Sequence, residues 1–319
     1  LAQDTAIFPA TTYPSAGATV TLNANYAIGT IDMSLRTTNA IVFAFGTSAF
    51  SVYGDFISSS SSSSSYTGTA GGAALSFYGR TTQNITSAGR VLPRSIVISG
   101  GGTVKLLDAL LTTDTTLSSI ISGTLDLNGY TATIGSSISI TGTSPRGIIF
   151  AGATLTVGSS STGTGTVWDA TDITNLTLDG TGTLNVNNGS TASPKTFIGG
   201  GYQNYPNISF SSNLLFAGAT VTGSNKFGDH TSSGGLSSST GLKFTGGTVN
   251  EFSSFNLSGG SGVYIPLKST NTTQATLRKP TAWVMGPSST NVIGNTGLTF
   301  SGGTAGVNDY LQVSYINGV

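Results

Sequence analysis

Apolar and small polar residues alternate through much of Ser122–Thr143, "SGTLDLNGYTATIGSSISITGT", and glycine interrupts at Gly123, Gly129, Gly135 and Gly142. A period of two marks a half-buried strand. It predicts Leu125 and Leu127 pointing into a core with Asp126 outward between them. Asn128-Gly129 predicts a tight turn, because both residues tolerate positive φ. "YTATI" and "SISIT" read as further strands of the same coil or the next. The apolar block Ala40 to Phe45 reads as a buried strand.

One unit recurs along the chain: a short apolar strand, a Gly/Ala-x-Gly corner or a near variant, then Thr and another apolar strand. It appears as "SIVISGGGTVKLL" from Ser95, "SSIISGTLDL" from Ser118, "GIIFAGATLTV" from Gly147 and "NLTLDGTGTLNV" from Asn175. It returns as "NLLFAGATVTG" from Asn213, "GLKFTGGTVNEF" from Gly241 and "GLTFSGGTAGV" from Gly297. The threonines fall at Thr103, Thr124, Thr154, Thr183, Thr220, Thr248 and Thr304. The intervals are uneven, and the last is long enough for two ordinary ones. Strands of four or five residues cannot bury their inner face alone, whereas stacked coils bury a continuous core. The pattern therefore predicts an all-β fold, an irregular parallel β-solenoid with glycine at the corners, ladders of Thr and Asn, and coils that carry insertions. Tandem β-sandwich modules are the alternative, since they also place short strands at regular spacing. The G-G-x-G-x-D calcium-roll signature is missing.

Three regions follow. Residues 1–57 lack the corner and are rich in aromatics: Phe8, Tyr13, Tyr26, Phe43, Phe45, Phe50, Tyr53 and Phe56. They read as a capping or attachment region, because a solenoid end exposes unpaired edges. Residues 58–72 read as a flexible loop, opened by the serine run Ser58 to Ser65. Residues 73–319 read as the solenoid body, with loops or insertions at 196–206 and 226–239 and a terminal strand in "NDYLQVSYINGV".

Composition sharpens this picture. Only 8% of the 319 residues are charged, 12 basic and 12 acidic, against about 25% in ordinary domains. Like charges stacked at the strand spacing repel, so a solenoid favours few of them. A single Glu, Glu251, and 45 glycines argue against a helical protein. Zero net charge provides no field for a nucleic-acid backbone, and no apolar run reaches the roughly 20 residues of a membrane helix. Cysteine is absent, which removes disulfides and thiolate metal sites and leaves the redox compartment open. The start at Leu1 carries no basic segment, so no signal peptide is expected; a processed chain or a fragment fits.

Candidate chemistry is sparse. Glycoside hydrolysis needs two carboxyl groups about 5–10 Å apart, and the best local pair is Asp169 and Asp172 in "TVWDATDIT", beside Trp168. Asp and Thr are also ordinary turn formers, the stronger reading here. His230, the only histidine, follows Asp229 in what reads as a solvated loop. No His/Asp/Glu cluster has metal-ligand spacing, no glycine-rich stretch has phosphate-loop spacing, and no cofactor is expected. Trp168, Tyr202, Tyr205, Tyr264 and Trp283 are candidates for stacking on carbohydrate; Tyr264 and Trp283 fit equally well as core closure. The six N-x-[ST] sequons, at Asn84, Asn175, Asn188, Asn207, Asn256 and Asn271, need no glycosylation to explain them in so Ser/Thr-rich a chain.

The segments "SGTLDLNGYTATIG", "KTFIGGGYQNYPNI", "VTGSNKF", "FNLSGGSGVYIPLKSTNTTQATLRKP" and "TGLTFSGGTAGVNDYLQVSYINGV" resemble, in their order, Gly/Thr-rich virion proteins of tailed bacteriophages. The resemblance runs from about Thr30 to the C-terminus. It implies a fibre, spike or surface-appendage component on the virion surface, with no catalytic motif to map. It also implies partners: other virion proteins, further copies of itself as a homotrimer, and a host surface glycan. The leading expectation is thus a non-enzymatic, elongated structural protein. A tailspike-type polysaccharide-cleaving enzyme acting through Asp169 and Asp172, or a bacterial cell-surface adhesin on a similar solenoid, are the alternatives.

Overall fold

The structure is a computed structural model. It describes residues 3–10, 17–37, 40–61, 63–68, 73–114, 117–160, 165–187, 194–211, 218–232, 242–257, 267–270, 273, 275–280, 283–285, 298–302 and 311–313. Among the described residues there is no helix, and the strands pair in parallel with their neighbours one coil away. The chain is a β-solenoid. Sandwich modules are set aside, since hairpins and Greek keys would pair strands antiparallel.

Two compact units are distinguished. Unit 1 comprises Leu1–Thr156 with Thr174–Thr177, and unit 2 comprises Val157–Ile173 with Leu178–Val319. In unit 1 each coil gives one short strand to each of three sides. Ser122–Thr143 is one such coil, with Gly123–Asp126 on the first side, Ala132–Ile134 on the second and Ile138–Ser139 on the third. Both later segments therefore belong to the same coil. Leu125 and Leu127 are buried, and Asp126 faces outward. Asn128 and Gly129 have φ of 51° and 81°, and Tyr130 N–H donates to the Leu127 carbonyl at 2.8 Å, closing the expected turn.

Parallel pairing stacks like on like. On the third side Ile28, Val52, Phe77, Ile98 and Ile120 form one inward column. On the first side Val104, Leu125 and Ile148 form another. One outward column is polar: Asp55 accepts from Asn84 N–H at 2.7 Å, Asn84 is in register with Lys105, and Lys105 with Asp126. Coil length varies. Val91 comes round to Leu111 in a short coil of unit 1, whereas Gly165 comes round only at Lys195 in a long coil of unit 2. The recurring corner is consequently not one repeat per coil. Thr103 and Thr124 are in register on the first side of unit 1, Thr154 lies on its second side, and Thr183 and Thr220 lie on different sheets of unit 2. It is a local device used at several corners; Thr304 lies outside the described residues.

The boundary expected after residue 57 has no counterpart. Phe56–Ile57 pairs with Thr30–Asp32 on one edge and Gln83–Thr86 on the other, so the aromatic-rich start supplies coils of its own. Phe43, Phe45, Phe50, Phe56 and Tyr66 pack there as a buried aromatic core. The serine run is equally part of the fold. Ser58, Ser59, Ser61 and Ser64 are buried. Ser59 Oγ donates to the Arg36 carbonyl at 2.5 Å, Ser61 N–H donates to the same carbonyl at 3.1 Å, and Ser64 Oγ accepts from Ile41 N–H at 3.1 Å. Small hydroxyl side chains satisfy buried backbone groups where larger ones would not fit.

Among the described residues unit 2 draws on two large sheets and a small two-stranded one. One large sheet contains Gly165–Asp169, Lys195–Ile198, Ala219–Thr222, Leu242–Phe244 and Leu267–Ser269; the other runs from Thr183–Asn187 to Leu298–Gly302. Within it the strands lengthen, to seven residues at Lys226–Ser232 and nine at Val249–Leu257. Part of 196–206 and 226–239, read as loops, is thus strand. The turn into Lys226–Ser232 is held by a buried asparagine ladder, in which Asn225 Nδ2 donates to Asn250 Oδ1 at 3.0 Å. Trp283–Met285 pairs with Leu311–Val313, as the alternation of the tail predicts.

Corner glycines differ in how tightly neighbouring coils enclose them. Gly101 and Gly123 both have positive φ, 82° and 101°, but a Cβ at Gly101 meets nothing within 4 Å, whereas one at Gly123 would run into the Gly102 carbonyl oxygen. Gly101→Ala should cost about 1 kcal/mol, the left-handed penalty alone. Gly123→Ala should cost about 1–3 kcal/mol more, because backbone must move; urea unfolding of both variants checks the difference. A pH dependence comes from Tyr66, whose hydroxyl shares a hydrogen bond with Ser58. Burial pushes its pKa from 10.0 up to about 12, against the opposing hydrogen bonds from Ser58 and Ser59. The folded state holds this proton more tightly than the unfolded chain, so the contribution is complete below pH 10 and is lost as pH rises through about 12. Stability should fall by about 2–3 kcal/mol across that window, and Tyr66→Phe should flatten the fall in a pH series of unfolding curves.

Candidate functional site

The residues singled out for carbohydrate are best followed from the strand that carries them. Gly165–Asp169 has a register shift against Lys195–Ile198 between Thr166 and Trp168. Val167 and Trp168 are both buried there. The Trp168 ring stacks on Phe197 at 5.9 Å and 7°, and its Nε1–H donates to the Tyr205 hydroxyl at 3.3 Å. Tyr205 in turn donates to the Gly199 carbonyl at 2.8 Å and stacks on Phe227 at 5.1 Å. Burial pushes the Tyr205 phenol well above its usual range. These contacts correct the sequence expectation for Trp168 and Tyr205. Both rings are committed to the core of unit 2 and offer no face to a glycan.

Tyr202 sits at the rim of the same cluster, half-buried, with its hydroxyl accepting from Leu178 N–H at 2.9 Å and its ring edge-on to Tyr205. Tyr264 lies outside the described residues. Trp283 opens the strand Trp283–Met285. The structure thus joins Trp168, Tyr202 and Tyr205 in one cluster, but as an interior one.

Of the two acidic candidates, Asp169 caps a turn. Asp169 Oδ1 accepts from Thr171 N–H at 3.0 Å and Thr171 Oγ1–H at 2.6 Å. Asp172 is half-buried in the following bend. The same use recurs at Asp126 with Asn128 N–H (2.8 Å) and Asp179 with Thr181 N–H (3.1 Å), whereas Asp114 accepts from Ser95 N–H (3.0 Å) one coil away. Asp108 reaches across to the neighbouring coil and accepts from Ser87 and Ala88 N–H at 2.7 and 2.6 Å. Asp126 meets Lys105 at 3.9 Å, the opposite charge. Accepting backbone N–H groups at a turn is the ordinary role of Asp in irregular backbone.

His230 corrects the solvated-loop reading. It lies on the inward side of Lys226–Ser232, fully buried, stacked on Phe255 at 4.2 Å and 14° and flanked by Phe210 and Phe252. Lys195 is also interior, in register with Gly165 and Ala219, whose small side chains leave room for it. The Arg146 guanidinium is wrapped by the carbonyls of Ile140, Ser144 and Thr174 at 2.6, 3.0 and 2.6 Å. A void of about 10 Å³, lined by Ile96, Leu110, Leu125, Ile134 and Ile138 among others, holds one water at most. Among the described residues no three His, Asp or Glu side chains converge as a metal site, and no helix is long and apolar enough to cross a membrane.

One surface feature escaped the sequence reading. Tyr53 and Tyr78 are exposed and stack on each other at 5.9 Å and 27°. The signal was present: "SVYG" at 51–54 and "SFYG" at 76–79 are near copies one coil apart, with Ser51 in register with Ser76. Comparison of the chain with protein-family models, with curated proteins and with solved structures gives no match.

Because Trp168 fills the interior of unit 2, Trp168→Ala should lower the free energy of unfolding by about 3–5 kcal/mol. Chemical denaturation monitored by far-ultraviolet circular dichroism measures the loss. A variant as stable as the parent would contradict the buried assignment.

Proposed function

We propose that the chain is a structural, non-enzymatic component of a tailed-bacteriophage particle, part of a fibre or surface appendage on the virion surface. The observation that carries this reading is how the polar groups are used. Turn carboxylates cap backbone N–H groups, and buried asparagine, glutamine and arginine side chains bind carbonyls and amides of neighbouring coils. Gln83 is typical: its Nε2 donates to the Val52 and Gly54 carbonyls at 3.0 and 2.7 Å, and its Oε1 accepts from Gly79 N–H at 2.7 Å. Chemistry needs groups held ready for a substrate in a cleft. Here these polar groups go into holding coil on coil.

A wall of this kind suits a part that must keep its form outside a cell. Its partners in this reading are other virion proteins, copies of itself arranged as a homotrimer, and a host surface glycan met by the outer face. The resemblance in segment order to Gly/Thr-rich virion proteins supports the same assignment.

Peptide mass spectrometry of particles banded on a density gradient, from the lysate that carries the coding sequence, should recover this chain with the infectious fraction. Recovery only with the bacterial envelope would overturn the virion assignment in favour of a cell-surface adhesin. New reducing ends released from host polysaccharide by the purified chain would overturn the non-enzymatic part.

A further inference from the structure

The stacked tyrosines on the outside of unit 1 have a chemistry that no other tyrosine pair among the described residues shares. Each follows the last residue of a strand in the same sheet, Phe50–Val52 and Leu75–Phe77. Tyr53 N–H donates to the Ile28 carbonyl and Tyr78 N–H to the Val52 carbonyl, both at 2.9 Å, so the backbone fixes the two rings one coil apart. They are 40% and 38% exposed. The neighbouring positions Gly54 and Gly79 add no side chain to crowd them. The other close tyrosine pair, Tyr202 and Tyr205, differs: Tyr205 is 3% exposed and its hydroxyl is held by Gly199. With no cysteine in the chain, a disulfide cannot tie coil to coil, and phenol coupling is the oxidative cross-link that its side chains allow.

We propose that Tyr53 and Tyr78 form an oxidative cross-linking site, closing a dityrosine bond between adjacent coils. The oxidant is hydrogen peroxide acting through a haem peroxidase. One electron and the phenolic proton leave each ring, giving two phenoxyl radicals. These couple through a new carbon–carbon bond between ring positions ortho to the oxygens, and the two ortho hydrogens pass to the oxygens as aromaticity returns. The two electrons and two protons reduce one peroxide to two waters, so the chain loses two hydrogen atoms and nothing else. Exposed side chains change rotamer in picoseconds to nanoseconds, so the ortho carbons meet by side-chain rotation on a fixed backbone.

The experiment treats the dilute full-length chain with a haem peroxidase and hydrogen peroxide, then cleaves it on the N-terminal side of aspartate. Cleavage before Asp55 separates Tyr53 from Tyr78 unless the two are bonded. The expected product is a joined peptide carrying both tyrosines, lighter by two hydrogens, with the blue fluorescence of dityrosine and a yield that does not change on dilution. Tyr53→Phe and Tyr78→Phe, which keep the ring stack, should each abolish that peptide, and Tyr202→Phe should leave it intact. Oxidised parent chain without the joined peptide, or an undiminished yield in Tyr53→Phe, would overturn the proposal.

Discussion

The hydrogen bond from each strand to its parallel neighbour one coil away is the constraint on which everything else rests. It places residue over residue at a strand spacing of about 4.8 Å, so no position is chosen alone. An inward residue must be apolar above and below, as in the Ile28, Val52, Phe77, Ile98 and Ile120 column. Outward charges meet opposite ones in two columns, although Lys243 and Lys268 also fall in register. Lys105 sits in register with Asp126, and Lys226, Glu251 and Arg278 stack in register with alternating sign. The 3.1 Å contact of Lys226 with Glu251, the chain's only glutamate, belongs to that column. Scarcity of charge fits this geometry, since like charges in one column repel.

The same constraint explains why polar groups go inside at the corners. Where the chain leaves a strand, several backbone N–H and carbonyl groups lose their ladder partners, and a buried group of that kind must be satisfied. Ser59, Gln83, Asn225 and Arg146 do this from within, and Asp108 and Asp169 from the rim. The interior is consequently a layered one, with aliphatic and aromatic columns along the strands and short polar networks at the bends.

Much of this was legible in the sequence. Alternation placed Leu125, Asp126 and Leu127 correctly, Asn128-Gly129 marked its turn, and glycine between short apolar strands pointed to the solenoid. What failed did so for identifiable reasons. The corner motif recurs like a coil repeat, but any bend between two short strands needs the same residues, so its spacing does not measure the coil. The serine run reads as a flexible loop because composition does not distinguish a hydroxyl facing water from one facing the Arg36 carbonyl. Lys226–Ser232 read as loop because Gly228, Asp229 and His230 break the apolar rhythm; the pairing with Val249–Leu257 overrides local propensity. Trp168 looked available because it stands beside two acids, yet a register shift turns consecutive residues Val167 and Trp168 both inward.

Coils of unequal length, such as Val91 to Leu111 and Thr183 to Asn207, still keep their columns aligned. The bends therefore absorb differences in length, and among the described residues the strands show one only at the shift between Thr166 and Trp168. An extra residue in a bend lengthens the perimeter locally and leaves every ladder in place. The same residue inside a strand would turn each following side chain to the other face. Lineages descended from this gene should accordingly diverge by gaining and losing segments at the bends, with the strands drifting only by exchange of one apolar residue for another.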